Sequence, residues 1–147
     1  MILENKQLRV VVDTNVLFSA LTSGKDSPPL KVLELAREGK IEAVVSPFIL
    51  AELENVLARK AGWDRHRILE LRRGFKTIFV LIEPHSHFTT IKRKDADNRI
   101  LECAVDAQAK VLVTGDHKDI RPLGHVKEVE ILTPREFLEK YFRISIF

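Results

Sequence analysis

A single cysteine, Cys103, stands among 147 residues, so no internal disulfide can form and nothing in the fold can depend on one. No cysteine–histidine grouping has the spacing of a zinc site. Cys103 sits in Leu101-Glu102-Cys103-Ala104-Val105, which reads as helix, and it is expected as a small packed residue rather than a nucleophile. Long apolar runs are missing too: no stretch approaches the roughly 18 apolar residues of a membrane span. Met1 to Arg9 lacks the apolar centre of a secretion signal, because Glu4, Asn5, Lys6 and Gln7 interrupt it. The expected location is therefore the cytoplasm. There is no large excess of either charge. The formal net charge of +3 tolerates a polyanionic partner without demanding one. The cations do gather locally, as Lys92-Arg93-Lys94 and as Arg65, Arg67, Arg72 and Arg73; either group reads equally as a solvated face. Repeats, low-complexity tracts and linkers are also lacking, and the length suits a single domain over residues 1–147.

What is present is a regular alternation of strands and helices. Leu8–Val12, Ile41–Val45, Thr77–Ile82 and Val111–Thr114 are short, mainly apolar runs that read as strands, and Glu128–Leu132 reads as a short fifth strand. Helices are expected over Pro28–Glu38, from Ser46-Pro47 to about Lys60, over Trp63–Phe75 and over Asp95–Ala109. Ser46 supplies an N-cap. Thr133-Pro134-Arg135-Glu136 is a capping box that starts a last helix carrying Phe137, Leu138, Tyr141 and Phe142. Residues 85–94 read as a polar connection. Continuously apolar strands alternating with helices predict a mostly parallel sheet covered on both faces, an α/β/α sandwich. In such sheets ligands bind at the carboxyl ends of the strands. Asp13, Ser46 and Asp116 all follow strand ends.

Several carboxylates occupy positions that an ordinary surface does not explain. In the helix from Asp95, the residues Ile100, Leu101, Ala104 and Val105 form the inward stripe at 100° per residue. Asp97 lies near the centre of that stripe. Asp95 can serve as the cap, and Glu102 and Asp106 are expected on the solvated side. The bland alternative for Asp97 is a favourable charge at a helix N-terminus. In the helix after Ser46, Glu52 and Glu54 flank the inward stripe on opposite sides, and periodicity does not choose between them. Asp13 follows three consecutive valines, where an unpaired charge is costly; the bland alternative is a turn or cap acid. Asp116, in Thr-Gly-Asp, also reads as a turn acid, with Asp119 nearby as a substitute. If such acids converge they repel, and a hard divalent cation with oxygen ligands relieves the repulsion.

Four segments, taken in order, resemble the PIN-domain family: Val10-Val11-Val12-Asp13-Thr14-Asn15-Val16, Ser46-Pro47 through Ala51-Glu52-Leu53, Asp97-Asn98-Arg99-Ile100-Leu101-Glu102-Cys103-Ala104, and Val113-Thr114-Gly115-Asp116. The likeness runs from about residue 8 to 142 and is nearest to the subgroup described as toxin components of toxin–antitoxin pairs, the VapC-like ribonucleases. It implies a five-stranded, mostly parallel α/β/α sandwich. It also implies Mg²⁺- or Mn²⁺-dependent endoribonuclease activity on RNA, an antitoxin partner and a homodimer. The family's acids map onto Asp13, Glu52, Asp97 and Asp116 as catalytic and metal-holding residues, which selects Glu52 over Glu54. Asn15 and Ser46 match supporting polar positions. The family often carries a further acid two residues after the position of Asp116; here His117 and Lys118 intervene, and Asp119 is a candidate extra acid. Lys92, Arg93 and Lys94 stand just before the Asp97 helix and are candidates for touching the RNA.

Two other function classes fit parts of the pattern. A haloacid-dehalogenase-type phosphatase needs Asp-x-Asp after an apolar strand, but Asn15 stands where its proton-transferring acid belongs. A module that binds RNA or protein with an idle metal site would keep the same acids. Metal-dependent cleavage of labelled RNA separates these readings.

Overall fold

Three consecutive valines, Val10 to Val12, can be buried on both sides only between two layers of helix, and they are 0–2% exposed. The structure, a computed structural model, describes residues 7–89, 95–116 and 118–144. Along the chain it forms β1 (Arg9–Val12), α1 (Thr14–Thr22), α2 (Pro28–Arg37), β2 (Glu42–Val45), α3 (Pro47–Ala61), α4 (Arg65–Ile78), β3 (Val80–Leu81) and α5 (Asp95–Asp106). β4 (Val111–Val113), β5 (His125–Val126) and β6 (Val129–Leu132) follow, with a 3-10 turn at Arg121–Leu123 before β5. The described chain ends in α6 (Pro134–Phe137), which widens into a π-helical turn over Leu138–Phe142.

The strands lie in the order β3-β2-β1-β4-β6-β5, and all pairings are parallel except β5 with β6. Val11 faces Val44 on one side and Leu112 on the other, so β1 is the centre of the sheet. α1 packs on α2 and α3, α2 on α6, and α3 on α4 and α5. The three-layer sandwich expected from the alternating pattern is the fold observed. It has six strands rather than five, because β5 turns back on β6 through Lys127, whose φ is 52°.

Local chemistry sets the helix starts. Ser27, Ser46, Asp64 and Thr133 each accept a hydrogen bond from a backbone N–H in the first turn. At Thr133 the reciprocal bond, donated by the Thr133 backbone N–H to the Glu136 carboxylate, completes the expected capping box. α3 ends at Gly62, whose φ of 70° is the left-handed conformation that glycine adopts without strain.

Four local expectations need correction. The apolar run Thr77–Ile82 is not one strand: α4 continues to Ile78, and only Val80–Leu81 pairs with β2. Phe75 is buried in α4 and its ring lies 4.5 Å from that of Phe79, so packing extends the helix past β-branched Thr77 and Ile78. The helix expected over Asp95–Ala109 ends at Asp106. α1 was not marked by periodicity; its buried face, Thr14, Val16, Leu17 and Ala20, exists because α2 and α3 cover it. Glu102 and Asp106 are not solvated. Glu102 is 4% exposed and accepts from Phe88 N and Arg99. Asp106 accepts from the backbone N–H groups of His85 and Ser86 and from the Ser86 hydroxyl. The segment after β3 thus crosses α5 with its own N–H groups satisfied by α5 carboxylates. Lys92-Arg93-Lys94 lies outside the described residues.

Burial acts against the Asp106 charge, yet the three donors and nearby His85 outweigh it and hold the carboxyl below its usual range. Asp106→Ala leaves two backbone donors unmet. We expect a loss of roughly 1–3 kcal/mol in denaturant melts and faster hydrogen exchange at His85 and Ser86. Unchanged exchange at those two amides would show that the carboxylate does not anchor this segment.

Candidate functional site

From β1 the chain steps outward to β2 and β3, and after α5 it returns to the other side of β1 as β4 and then β6. The order therefore reverses between β1 and β4, which opens a crevice at their carboxyl ends. Asp13 directly follows β1 and Thr114-Gly115-Asp116 directly follows β4. Their backbones meet where Asp13 N donates to Val113 O at 2.9 Å.

A cleft of about 370 Å³ opens there, lined by Asp13, Asn15, Glu52, Lys60, Asp97 and Asp116 together with Thr14, Phe18, Val56 and Ile100. All four acids singled out in the sequence thus share one cleft, although they come from four separate elements. Asp97 is 8% exposed, as its place on the inward stripe of α5 requires. Glu52 shares the cleft face of α3 with Val56 and Lys60. Glu54 points away, and its carboxylate takes both a 2.9 Å and a 2.7 Å hydrogen bond from Arg72. Geometry alone therefore separates the two glutamates that periodicity left equal.

Asp13 does not cap α1 through its side chain. Its Oδ2 accepts a 2.6 Å hydrogen bond from Thr114 Oγ1, which in turn accepts from Asp116 N at 3.0 Å. Asp116 Oδ1 accepts from Lys118 N and Asp119 N, so this residue is both a turn acid and a cleft residue. Its turn brings Asp119 inward. One carboxylate oxygen each from Asp97, Asp116 and Asp119 lie within 4.8 Å of one another. Asp119, separated from Asp116 by two residues, is thus in the tightest acid group among the described residues. Asp13 and Glu52 line the same cleft outside that trio.

Asn15 Oδ1 accepts from Gly115 N at 3.1 Å and ties the loop after β4 to the start of α1. A Cβ on Gly115 would come within 3.4 Å of that oxygen, so glycine lets the two loops close up. Ser46 is not brought into the cleft. It is fully buried, and its hydroxyl accepts from Ile49 N at 3.1 Å as the α3 cap. Thr114 is the residue that sequence reasoning undervalued. It is 0% exposed and links Asp13 to Asp116, and its only sequence signal is a short hydroxyl between an apolar strand and Gly-Asp.

The electrostatics fit a cation. Burial raises the Asp13 carboxyl most; the Thr114 hydrogen bond opposes this, and the charges of Asp97 and Glu52 push it up again, to about 7. The Thr14 hydroxyl oxygen is buried at the cleft with no hydrogen-bond partner among the described residues. An all-oxygen donor set built on carboxylates suits Mg²⁺ or Mn²⁺ rather than a thiophilic metal.

A family model described as PIN domain matches residues 9–118. The uncharacterized protein MJ1680 of Methanocaldococcus jannaschii is 32% identical over 95% of this chain and 95% of its own length. Among solved structures, a chain of VapBC2 from Rickettsia felis, crystallised bound to a DNA fragment from their promoter, covers 84% of this chain and 97% of its own with a TM-score of 0.61. At 17% identity that likeness is one of fold.

Two stability measurements test the crowding of acids. In excess chelator at neutral pH, Asp97→Asn removes one repelling charge and is expected to raise the melting temperature; Mg²⁺ or Mn²⁺ then stabilises the wild type more than the variant. A variant less stable in chelator and equally responsive to metal would mean that Asp97 only favours its helix N-terminus, an effect of roughly 0.3–1 kcal/mol. The second measurement is a pH series. Folded Asp13 titrates near 7 and the unfolded chain near 3.8. Its contribution to stability is complete below the unfolded value and is lost as pH rises through about 7. Metal-free protein should therefore gain stability on going from about pH 8 to about pH 5, and Asp13→Asn should flatten that gain. Glu136, held near 2 chiefly by its hydrogen bond with Arg121, loses its contribution only at more acid pH and does not mask the effect. Parallel curves for wild type and Asp13→Asn would contradict the assignment.

Proposed function

We propose a function from one established premise: this chain belongs to the PIN-domain family. It is a metal-dependent endoribonuclease that hydrolyses RNA phosphodiester bonds in the cleft between β1 and β4. The observation that carries this reading is the convergence of Asp97, Asp116 and Asp119 within 4.8 Å, with Asp13 and Glu52 lining the same cleft.

Asp13, Glu52, Asp97 and Asp116 are the residues we assign to hold Mg²⁺ or Mn²⁺, and Asp119 joins them through the Asp116 turn. When bound, the cation neutralises charge at the scissile phosphate and makes water a competent nucleophile near neutral pH. The protein's part is placement. Thr114 fixes the Asp13 carboxylate, and Asn15 fixes the backbone that carries Asp116. Buried α5 keeps Asp97 from turning to solvent, since Ile100 and Leu101 one turn on anchor the helix in the core. Lys60, at the mouth of the cleft, offers a cation to the RNA phosphate. Lys92, Arg93 and Lys94, which precede α5 in sequence, are proposed to meet the same backbone. The motif likeness to VapC-like ribonucleases further supports a toxin role with an antitoxin protein as partner, and a homodimer.

The test is cleavage of end-labelled single-stranded RNA. Activity should require Mg²⁺ or Mn²⁺, vanish in excess chelator, and leave a 5′-phosphate on the downstream product. Asp97→Asn should lower the rate at least about a hundredfold, since several kcal/mol of charge stabilisation are at stake. Full cleavage in chelator, or a 2′,3′-cyclic phosphate product, would rule the reading out. Metal-dependent stabilisation and RNA binding without any cleavage would identify an idle binding module instead.

A further inference from the structure

One segment of this protein carries a large excess of positive charge. Residues 59–76 carry seven Lys and Arg against two Asp and Glu, a net +5, while the whole chain is only +3; the remaining residues therefore sum to −2. The segment comprises the last turn of α3, the link through Gly62 and Trp63, and most of α4.

Its position relative to the cleft follows from the helix. Glu52 and Lys60 line the acid cleft from α3. Arg59 is seven residues after Glu52, so it lies about 20° from it around the axis and about 10 Å further along. Arg59 therefore stands on the Glu52 side of α3 near its C-terminal end, and two residues beyond the helix Trp63 carries the Arg67 guanidinium stacked 3.9 Å above its indole ring. Arg65 borders a groove with Trp63 on the α4 side of α3. Arg59, Lys60, Arg65 and Arg67 are exposed, and among the described residues none is paired with a carboxylate. The contrast is Arg72, which the Glu54 carboxylate neutralises. The cations that could have been tied down locally are thus distinguishable from those that are not.

We propose that the C-terminal end of α3 and the start of α4, through Arg59, Lys60, Arg65 and Arg67 around Trp63, form a docking track for the phosphates of a single-stranded RNA whose scissile bond lies in the acid cleft. The proposal rests on the ribonuclease reading for the identity of the ligand. Charge complementarity supports it: a cleft lined with carboxylates repels a polyanion, and a substrate needs an attractive surface within a few nucleotides of the cut. The stacked Arg67 presents a planar cation whose position is already fixed, which reduces the ordering cost of binding.

The experiment uses the tryptophan of the track, Trp63, the sole tryptophan of the chain, as reporter. Labelled single-stranded RNA is titrated in excess chelator, and binding by anisotropy is followed alongside Trp63 emission. Binding should change the Trp63 emission in parallel with the anisotropy, and both should weaken with salt. Arg59→Gln/Arg65→Gln/Arg67→Gln should weaken binding by roughly ten- to a hundredfold and lower the slope of log affinity against log salt by about 2, the value for three single-strand phosphate contacts. Anisotropy that rises while Trp63 stays silent, or a triple variant with unchanged affinity and slope, would overturn the track and leave the ribonuclease reading standing. A Trp63 response lost in the triple variant, in a wild type that cleaves no RNA with metal present, would keep the track and overturn the nuclease reading. No RNA binding at all would overturn the track as well.

Discussion

The hydrogen bond from Thr114 to Asp13, 2.6 Å long and wholly buried, joins the ends of the two strands between which the sheet reverses direction. Without a partner there, a carboxylate at 3% exposure would carry a desolvation cost that few loops can absorb. With it, Asp13 can remain at the strand end, β1 and β4 stay in register to their last residues, and the Gly115-Asp116 turn is placed against Asn15. The acid cleft is therefore a product of how the central strands end rather than of the loops alone.

That arrangement stores unfavourable energy. Asp13 is pushed to about 7 first by burial and then, against its Thr114 bond, by Asp97 and Glu52. The rest of the fold offsets this through an apolar centre with Val10, Val11, Val44, Leu53, Leu57 and Leu112 at 0% exposure. Such a division is common in sites that bind cations, where the scaffold bears a repulsion that a ligand can relieve.

Much of this could be read from residue order. Largely apolar runs marked β1, β2, β4 and β6, interrupted only by Arg9, Glu42 and Glu130, because buried parallel strands leave little polar face to blur the signal. Asp97 was legible because α5 has a clear inward stripe and a carboxylate lies on it. Other features depend on partners that periodicity does not carry. α1 is helical because α2 and α3 enclose it. Glu102 and Asp106 looked solvated on the wheel of α5, but the segment after β3 comes back across them and donates its backbone N–H groups to their carboxylates. Asp119 depended on the Asp116 turn, which sequence spacing to a family pattern did not favour. Ser46 was read as near the site, yet capping α3 occupies its hydroxyl in the interior.

Both margins of the sheet are strands of only two residues, β3 on one side and β5 on the other. A row of two residues presents too few open N–H and C=O groups to template a foreign strand, and Leu81 is the one large apolar side chain on the β3 margin more than half exposed. The longer strands β2 and β6, which could nucleate cross-chain pairing, are shielded as long as those short margins stay in place. Resistance to fibril-type self-association then depends on two of the smallest elements in the molecule, so a lesion that peels back β5 or β3 would reach solubility before it reached the acid cleft.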